Sequence, residues 1–155
     1  MTQENTFTFY DPGPLIDDDL ELVLVECYPG DMERGYVPTY KYEMQIQDTG
    51  IPVGRVELRV GKTDHLVNYA GQIGYEVNPE HRGHHYAARS CRLLFSIARH
   101  HDLNPIWITC NPDNQASRRT CEIIGGELVE IVPVPVKSSI YRRGDRQKCR
   151  YRVTV

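Results

Sequence analysis

The stretch from Gly74 to Arg92 constrains the fold of this chain more than any other part of the sequence. An apolar, strand-like lead-in ends at Val77, the turn-forming pair Asn78-Pro79 follows, and helical periodicity begins directly after Arg82-Gly83. We therefore expect a strand, a tight loop and the first turn of a helix in direct succession.

The first turn of that helix is suited to binding an anion. Its backbone N–H groups have no partners within the helix, and the aligned peptide dipoles place partial positive charge at this end. Gly83 lets a ligand approach the backbone closely because it has no Cβ, and Arg82 offers a forked donor that matches phosphate. The sequence predicts an anion site that would accommodate a pyrophosphate.

The run from Arg82 to Ala87 resembles the acetyl-coenzyme A signature of the GNAT superfamily of N-acetyltransferases. In that signature Arg or Gln is followed by two residues, Gly, one residue, and Gly or Ala. This sequence departs from the pattern at His85, which stands where the family has glycine. A second run, Asn-x-x-Ser-x-x-Thr-x-Glu-x-x-Gly-Gly from Asn114 to Gly126, resembles the superfamily's later helix, especially in its RimJ/RimL-like branch.

The resemblance implies a set of residues that bind acetyl-CoA. The loop and helix start would hold the pyrophosphate, the later helix would line the pantetheine arm, and one strand would offer a backbone N–H to the thioester carbonyl. In the family a bulge splays this strand from its neighbour, and we expect it within residues 70–77. The implied cofactor-binding residues are Val77, Arg82, Gly83, His84, His85, Tyr86, Ala87, Asn114 and Ser117.

Acetyl transfer also needs a neutral amine and a proton for the leaving thiolate. An alkylamine has a pKa of about 10.4, so a base or a water chain is required near neutral pH. Glu76 is the carboxylate nearest in sequence to the expected reaction centre, although strand alternation places it opposite Val77 and a surface role is the alternative. Many family members have a proton-donating tyrosine on the later helix. Here that position is Cys121, and Ser117, one turn earlier, is the other candidate donor.

Charge is divided unevenly along the chain. Residues 1–50 carry 11 acidic and 2 basic side chains, whereas residues 51–155 carry 10 acidic and 16 basic ones. The basic second part favours a polyanionic ligand such as coenzyme A. The overall net charge of −3 argues against nucleic acid as a partner.

The cysteines and histidines favour a protein without a metal ion. Five widely spaced cysteines with no Cys-x-x-Cys pair are typical of reduced thiols in the cytoplasm. His81 and His85 have the spacing of two ligands on a helix, but Arg82-Gly83 places His81 before the helix begins. We expect acetyl-CoA as co-substrate and no metal, with a metal-dependent protein as an alternative. Neither a secretory signal nor a bilayer-spanning apolar run is apparent, so no membrane partner is expected.

Hydrophobic patterns and turn residues predict the remaining elements. Residues 1–19 show breakers and an acidic run, which indicates little regular structure, and 137–148 reads as a solvated loop. The predicted strands are 20–28, 40–47, 54–60, 70–77, 106–110, 127–136 (an edge strand, or one that stops at 132) and 149–155, and the predicted helices are about 85–101 and 114–124.

We therefore expect one α/β (α+β) domain of GNAT type over residues 1–155. Its mixed, mostly antiparallel sheet would have six or seven strands, splayed between 70–77 and 106–110, with helices packed on it. The expected function is direct acetyl transfer from acetyl-CoA to a primary amine of a small molecule or a protein N-terminus. The alternative is a non-catalytic acyl-CoA-binding or regulatory module. Strand edges near Pro133 and Cys149 would allow a homodimer.

Overall fold

The computed structural model describes residues 7–155, which form eight β-strands and three α-helices. The strands are β1 Leu15–Asp17, β2 Leu20–Tyr28, β3 Thr39–Ile46, β4 Ile51–Arg59, β5 Ile73–Val77, β6 Ile106–Cys110, β7 Glu127–Pro133 and β8 Gln147–Val153. The α-helices are α1 Tyr86–His100, α2 Gln115–Ile123 and α3 Ser139–Arg142. Every helix in this part of the chain is too short or too polar to cross a bilayer.

Strands β1 to β5 form an antiparallel meander in chain order. Side chains alternate between the two faces of the sheet, and those on one face join the hydrophobic core: Tyr40, Tyr42, Met44, Val56 and Leu58. Charged residues occupy the intervening positions on the other face: Lys41, Glu43, Arg55, Glu57 and Arg59. The sheet therefore has one apolar face, on which α1 packs, and one charged, open face.

Helix α1 contributes an apolar stripe to this core, and its first turns are tied to the β1–β2 turn. Cys91, Leu94 and Ile97 are completely buried. The Arg89 guanidinium donates to Asp17 Oδ2 at 2.6 Å and to Asp19 Oδ1 at 2.7 Å. These bonds fix the helix start relative to the edge of the sheet.

Strands β6, β8 and β7 form a second antiparallel sheet in that order, and Gln72 joins it to the first at one point. The Gln72 N–H donates to the Trp107 carbonyl at 2.7 Å, and Gln72 Oε1 accepts from the Trp107 N–H at 2.8 Å. The same side chain donates to the Gly61 carbonyl at 2.7 Å. These hydrogen bonds join only the amino ends of β5 and β6. Beyond them the two strands run side by side without pairing.

A π-helical turn, Leu66–Ala70, lies beside these Gln72 contacts and is hydrogen-bonded to both sheets. Its carbonyl groups accept hydrogen bonds from both sheets. Thr109 Oγ1 donates to the Tyr69 carbonyl at 2.7 Å, and Arg59 Nη1 donates to the Ala70 carbonyl at 3.0 Å. Single π-turns of this kind are frequent at functional sites.

The predicted fold class and the split between β5 and β6 are confirmed, and four details are corrected. Strand β1 lies in a segment expected to be irregular, which gives eight strands; residues 1–6 of that segment lie outside the described part. The expected bulge is absent, because the β4–β5 register runs unbroken from Leu58↔Ile73 to Gly54↔Val77. The predicted loop at 137–148 contains α3 and the start of β8, since Ile140 is buried. Cys149 lies in the central strand of its sheet, and β7 is an edge.

Residues 7–10 cover the end of α1 with aromatic side chains. Tyr10 stacks on His100 with ring centroids 3.9 Å apart. The Tyr40 hydroxyl accepts from the Tyr10 N–H at 2.7 Å and lies 2.6 Å from His101 Nε2. The hydroxyl can give its one hydrogen to Nε2 only when that nitrogen is unprotonated. Burial of the ring and the adjacent His100 favour a neutral His101, to which the hydroxyl can donate.

We expect the free energy of unfolding to decrease as the pH falls below about 6.5, the ordinary histidine pKa. Burial, together with the adjacent His100, lowers the pKa of His101 in the folded protein. Between that lowered value and about 6.5 the unfolded chain binds more protons, so stability is lost as the pH falls through this window. Urea titrations from about pH 8 to about pH 5 should show a shallower loss for His101→Gln, which keeps an acceptor but does not titrate. Equal slopes for both proteins would contradict this account.

Candidate active site

A cleft lies between the carboxyl ends of β5 and β6, and the amino ends of α1 and α2 both face it. Its helix side holds a cavity of about 420 Å³. Eight of the nine cofactor residues predicted from the sequence line this cavity: Val77, Arg82, Gly83, His85, Tyr86, Ala87, Asn114 and Ser117. His84 does not line it, although its carbonyl accepts from Arg89 Nη1 at 3.3 Å, which fixes the loop before α1.

The amino end of α1 presents unopposed positive charge to the cavity. Arg82 is exposed, and its side chain makes no hydrogen bond within residues 7–155. No acidic residue lies in the first turn of α1. Gly83 has φ of +95° and nothing within 4 Å of where a Cβ would stand, so the backbone is open to a ligand. These features together suit a phosphate group.

His85 is the residue directly before α1, and its backbone is left-handed with φ 57° and ψ 29°. A side chain in this conformation costs about 1–2 kcal/mol, whereas glycine adopts it freely. The family signature has glycine at this position, and the backbone conformation gives the physical reason. His81 lies in a separate 3-10 turn, and no group of three or more potential metal ligands occurs within residues 7–155.

Strand β5 leaves one backbone edge open towards the cleft. The Asn78 N–H donates to the Val53 carbonyl at 2.8 Å, and the Arg59 N–H donates to the Gln72 carbonyl at 2.7 Å. In an antiparallel ladder the residues between such pairs turn their N–H groups away from the partner strand. The amides of Tyr75 and Val77 therefore point away from β4, towards the side where β6 has separated.

Tyr75 reaches across the cleft from β5 to α2, a contact that sequence reasoning missed. Its hydroxyl lies 2.6 Å from Ser117 Oγ, in the first turn of α2. The Asn114 side chain caps this helix by accepting from the Ser117 N–H at 3.1 Å. Burial raises the pKa of Tyr75, so its hydroxyl stays protonated and can donate to Ser117 Oγ or accept from it. Strand alternation could have placed Tyr75 on the same side as Val77, but nothing in the spacing indicates that it meets Ser117.

The predicted proton donor Cys121 lies in the core and does not line the cavity between the helices. It is completely buried, and its pKa is raised by its hydrogen bond to Cys110 and by burial. Cys110 instead lines the open-face side of the cleft, and the hydrogen bond from Cys121 lowers its pKa. The geometry therefore favours Ser117 over Cys121 as a group that meets a ligand.

A second cavity, of about 870 Å³, lies on the charged, open face of the five-stranded sheet. The two cavities share four lining residues: Tyr75, Glu76, Asn114 and Ser117. Glu76, the predicted base, lies at this junction with its carboxylate 2.7 Å from Arg55 Nη2. A ligand in one cavity can therefore meet a ligand in the other at the carboxyl end of β5.

Comparison with known proteins identifies relatives of this fold. A family model described as an acetyltransferase (GNAT) domain matches residues 1–127. RimL, a ribosomal L7/L12 alpha-N-protein acetyltransferase, has a TM-score of 0.65 at 17% identity over 92% of this chain and 94% of its own. A putative ribosomal-protein-serine acetyltransferase from Vibrio cholerae has a TM-score of 0.66 at 12% identity over 93% and 98%. An acetyltransferase (GNAT family) from Bacillus anthracis has a TM-score of 0.58 at 20% identity over 74% of this chain, which spans 65% of that protein. No curated protein sequence matches.

Proposed function

Because the chain belongs to the GNAT family of acetyltransferases, we propose that it transfers an acetyl group from acetyl-CoA directly to a primary amine. The family match confirms the resemblance on which the acyltransferase prediction rests. The observation that carries the proposal is the meeting of two cavities at Tyr75, Glu76, Asn114 and Ser117. An acyl donor and an amine can enter from opposite sides and meet beside the open edge of β5, which is the arrangement that direct transfer needs.

The cavity between the helices fits the cofactor chemically. Arg82, Gly83 and the first N–H groups of α1 would hold the pyrophosphate, while Asn114 and Ser117 would line the pantetheine arm. When bound, acetyl-CoA supplies an activated acyl thioester. No metal is part of this proposal.

The chain's own groups at the junction can assist the reaction in three ways. The Val77 N–H can donate to the acyl carbonyl oxygen, where negative charge develops. Glu76 can take a proton from the amine directly or through water, and Arg55 holds its carboxylate in place. Ser117 can give a proton to the leaving thiolate and regain one from Tyr75, whose hydroxyl is 2.6 Å away. The proton that Glu76 takes from the amine then restores the Tyr75 hydroxyl through water at the junction, so no net charge is left on the protein.

The acceptor, location and assembly belong to the same proposal. RimL acetylates a protein N-terminus, so protein N-termini and small amines are both candidate acceptors. Five free thiols fit a reducing cytoplasm. A single domain over residues 1–155 and the absence of nucleic-acid and membrane partners stay predictions. A homodimer would use the edge strand β7, where Leu128, Val129 and Ile131 are exposed.

The cofactor site can be tested by calorimetric titration with acetyl-CoA. We expect Arg82→Ala to weaken binding about tenfold, because it removes a charge-assisted donor. Gly83→Asp should weaken it further, since it adds both backbone strain and a negative charge. His85→Gly should bind at least as well as the wild type and be about 1 kcal/mol more stable, because it relieves the left-handed strain.

Arg99→Ala is the matched control for these variants. Arg99 is exposed at the opposite end of α1, outside both cavities, so its loss should leave binding unchanged. A folded wild-type protein that binds no acetyl-CoA would overturn the proposal. Binding without thiol release in the presence of any amine would instead favour the non-catalytic acyl-CoA-binding module.

A further inference from the structure

The second cavity, of about 870 Å³, is the acceptor-side cavity of the proposed reaction, and its two walls differ in charge. The first is the open face of the five-stranded sheet, which contributes three basic and three acidic side chains: Lys41, Glu43, Arg55, Glu57, Arg59 and Glu76. Arg55 pairs with Glu76 at 2.7 Å, and Arg59 pairs with Glu57 at 2.7 Å. This wall therefore carries no net charge.

The second wall carries an excess of positive charge. Arg143, directly after α3, and Lys148, at the start of β8, share the single carboxylate of Asp145, with N–O distances of 2.8 Å and 3.1 Å. Asn111 Nδ2 donates to the other oxygen of Asp145 at 2.8 Å. Burial opposes ionisation of Asp145, but these hydrogen bonds outweigh it and lower the pKa of the carboxyl to about 2. Two cations with one permanently charged anion leave a net charge of about +1 at this Arg143–Lys148 corner.

Both cations of the Arg143–Lys148 corner retain donors for a further anion. Arg143 bonds Asp145 through Nε only, and its two terminal nitrogens make no hydrogen bond within residues 7–155. Lys148 Nζ donates to Asn111 Oδ1 at 2.8 Å and to Asp145 Oδ2 at 3.1 Å, which leaves one of its three N–H groups. The Lys148 side chain is only 7% exposed, so water compensates its charge poorly.

The corner adjoins the point where the two cavities meet. Asn111 follows Cys110 directly, and Cys110 both lines the acceptor-side cavity and makes a side-chain contact with Ser117. Lys148 precedes Cys149, the residue opposite Cys110 in the β6–β8 ladder. An anion bound at the corner therefore lies in the same cavity as the four residues where the two cavities meet.

We infer that the acceptor is an amine that carries a carboxylate or phosphate group a few bonds from its nitrogen, with the anion bound at the Arg143–Lys148 corner. This inference rests on the proposed acetyl transfer. Polycationic amines would instead place positive charge against this wall, so they are poor acceptors. The anionic amine can be a free small molecule or the first residue of an acidic protein N-terminus.

Matched pairs of acceptors test the inference by thiol release from acetyl-CoA. The pairs are β-alanine and β-alaninamide, O-phosphoethanolamine and ethanolamine, and one peptide that begins with Asp or with Asn. We expect the anionic member of at least one pair to have a kcat/KM about tenfold or more higher, as charge-assisted hydrogen bonds provide. A preference confined to the peptides identifies a protein N-terminus, and one confined to the small amines identifies a metabolite.

Arg143→Gln should remove this preference by raising the KM of the anionic acceptor, with the KM of acetyl-CoA unchanged. Arg142→Gln is the matched control, because Arg142 donates to the Lys137 carbonyl and does not line the cavity. Equal use of both members of every pair, or equal effects of the two variants, would overturn the inference and leave the proposed function standing. If no amine of either kind releases thiol, the proposed function itself fails and the inference with it.

Discussion

Tyr75→Phe is expected to lower kcat about 100-fold while leaving acetyl-CoA binding unchanged. The substitution removes only the hydroxyl that lies 2.6 Å from Ser117 Oγ, at the junction of the two cavities. Positioned proton donors contribute about 10²–10⁴-fold to such reactions. Steady-state thiol release and calorimetric titration with acetyl-CoA measure the two quantities separately.

A structural role for Tyr75 would produce a different pattern. Tyr151→Phe is the control, because it also removes a buried tyrosine hydroxyl with one side-chain partner, Arg118 Nε at 3.1 Å, but outside the cleft. Ser117→Ala should be about as slow as Tyr75→Phe, and the double variant should be no slower than either, since the two hydroxyls would act as one relay. Additive losses, or an equal loss of kcat in Tyr151→Phe, would count against the relay.

Local sequence patterns predicted most of the fold because each element has its own period or boundary residue. The strand at Leu20–Tyr28 alternates in burial over its first half, and the buried strand Ile106–Cys110 has the predicted bounds. Helix α1 begins and ends within one residue of its prediction because its apolar stripe and flanking turn are both local. The loop before α1, residues 78–85, was predictable because its turn-forming residues are also a local signal.

The details that the sequence did not predict depend on contacts between distant residues. Gln72 gives no local signal, yet its bonds to Trp107 and Gly61 join the two sheets at the amino ends of β5 and β6. The pairing of Tyr75 with Ser117 joins residues 42 positions apart. The Arg143–Lys148 corner arises only because β8 returns between β6 and β7 and brings Lys148 to Asn111. Such pairings follow from topology, which periodicity does not specify.

Gly54→Ala is expected to lower the free energy of unfolding by about 3 kcal/mol, at the upper end of the cost of overpacking. A Cβ at Gly54 would lie 2.4 Å from the Glu76 carbonyl oxygen and 3.1 Å from Val77 Cα, both of them backbone atoms. The Gly54 backbone itself is not left-handed, so the clash alone causes the loss. Relieving it requires β5 to move away from β4, which would also displace the Val77 N–H and slow acetyl transfer in the protein that remains folded.

Gly74→Ala is the matched comparison for Gly54→Ala, because it adds the same methyl group to the neighbouring strand. There the Cβ would meet the end of the Arg59 side chain at 2.6 Å, and a guanidinium can shift more easily than a strand. Urea denaturation of both variants should therefore show the larger loss for Gly54→Ala, by about 1 kcal/mol or more. A Gly54→Ala protein as stable as the Gly74→Ala protein would mean that β5 moves away from β4 at little cost in free energy. In that case the open edge of β5 is not held rigidly enough to orient an acyl group.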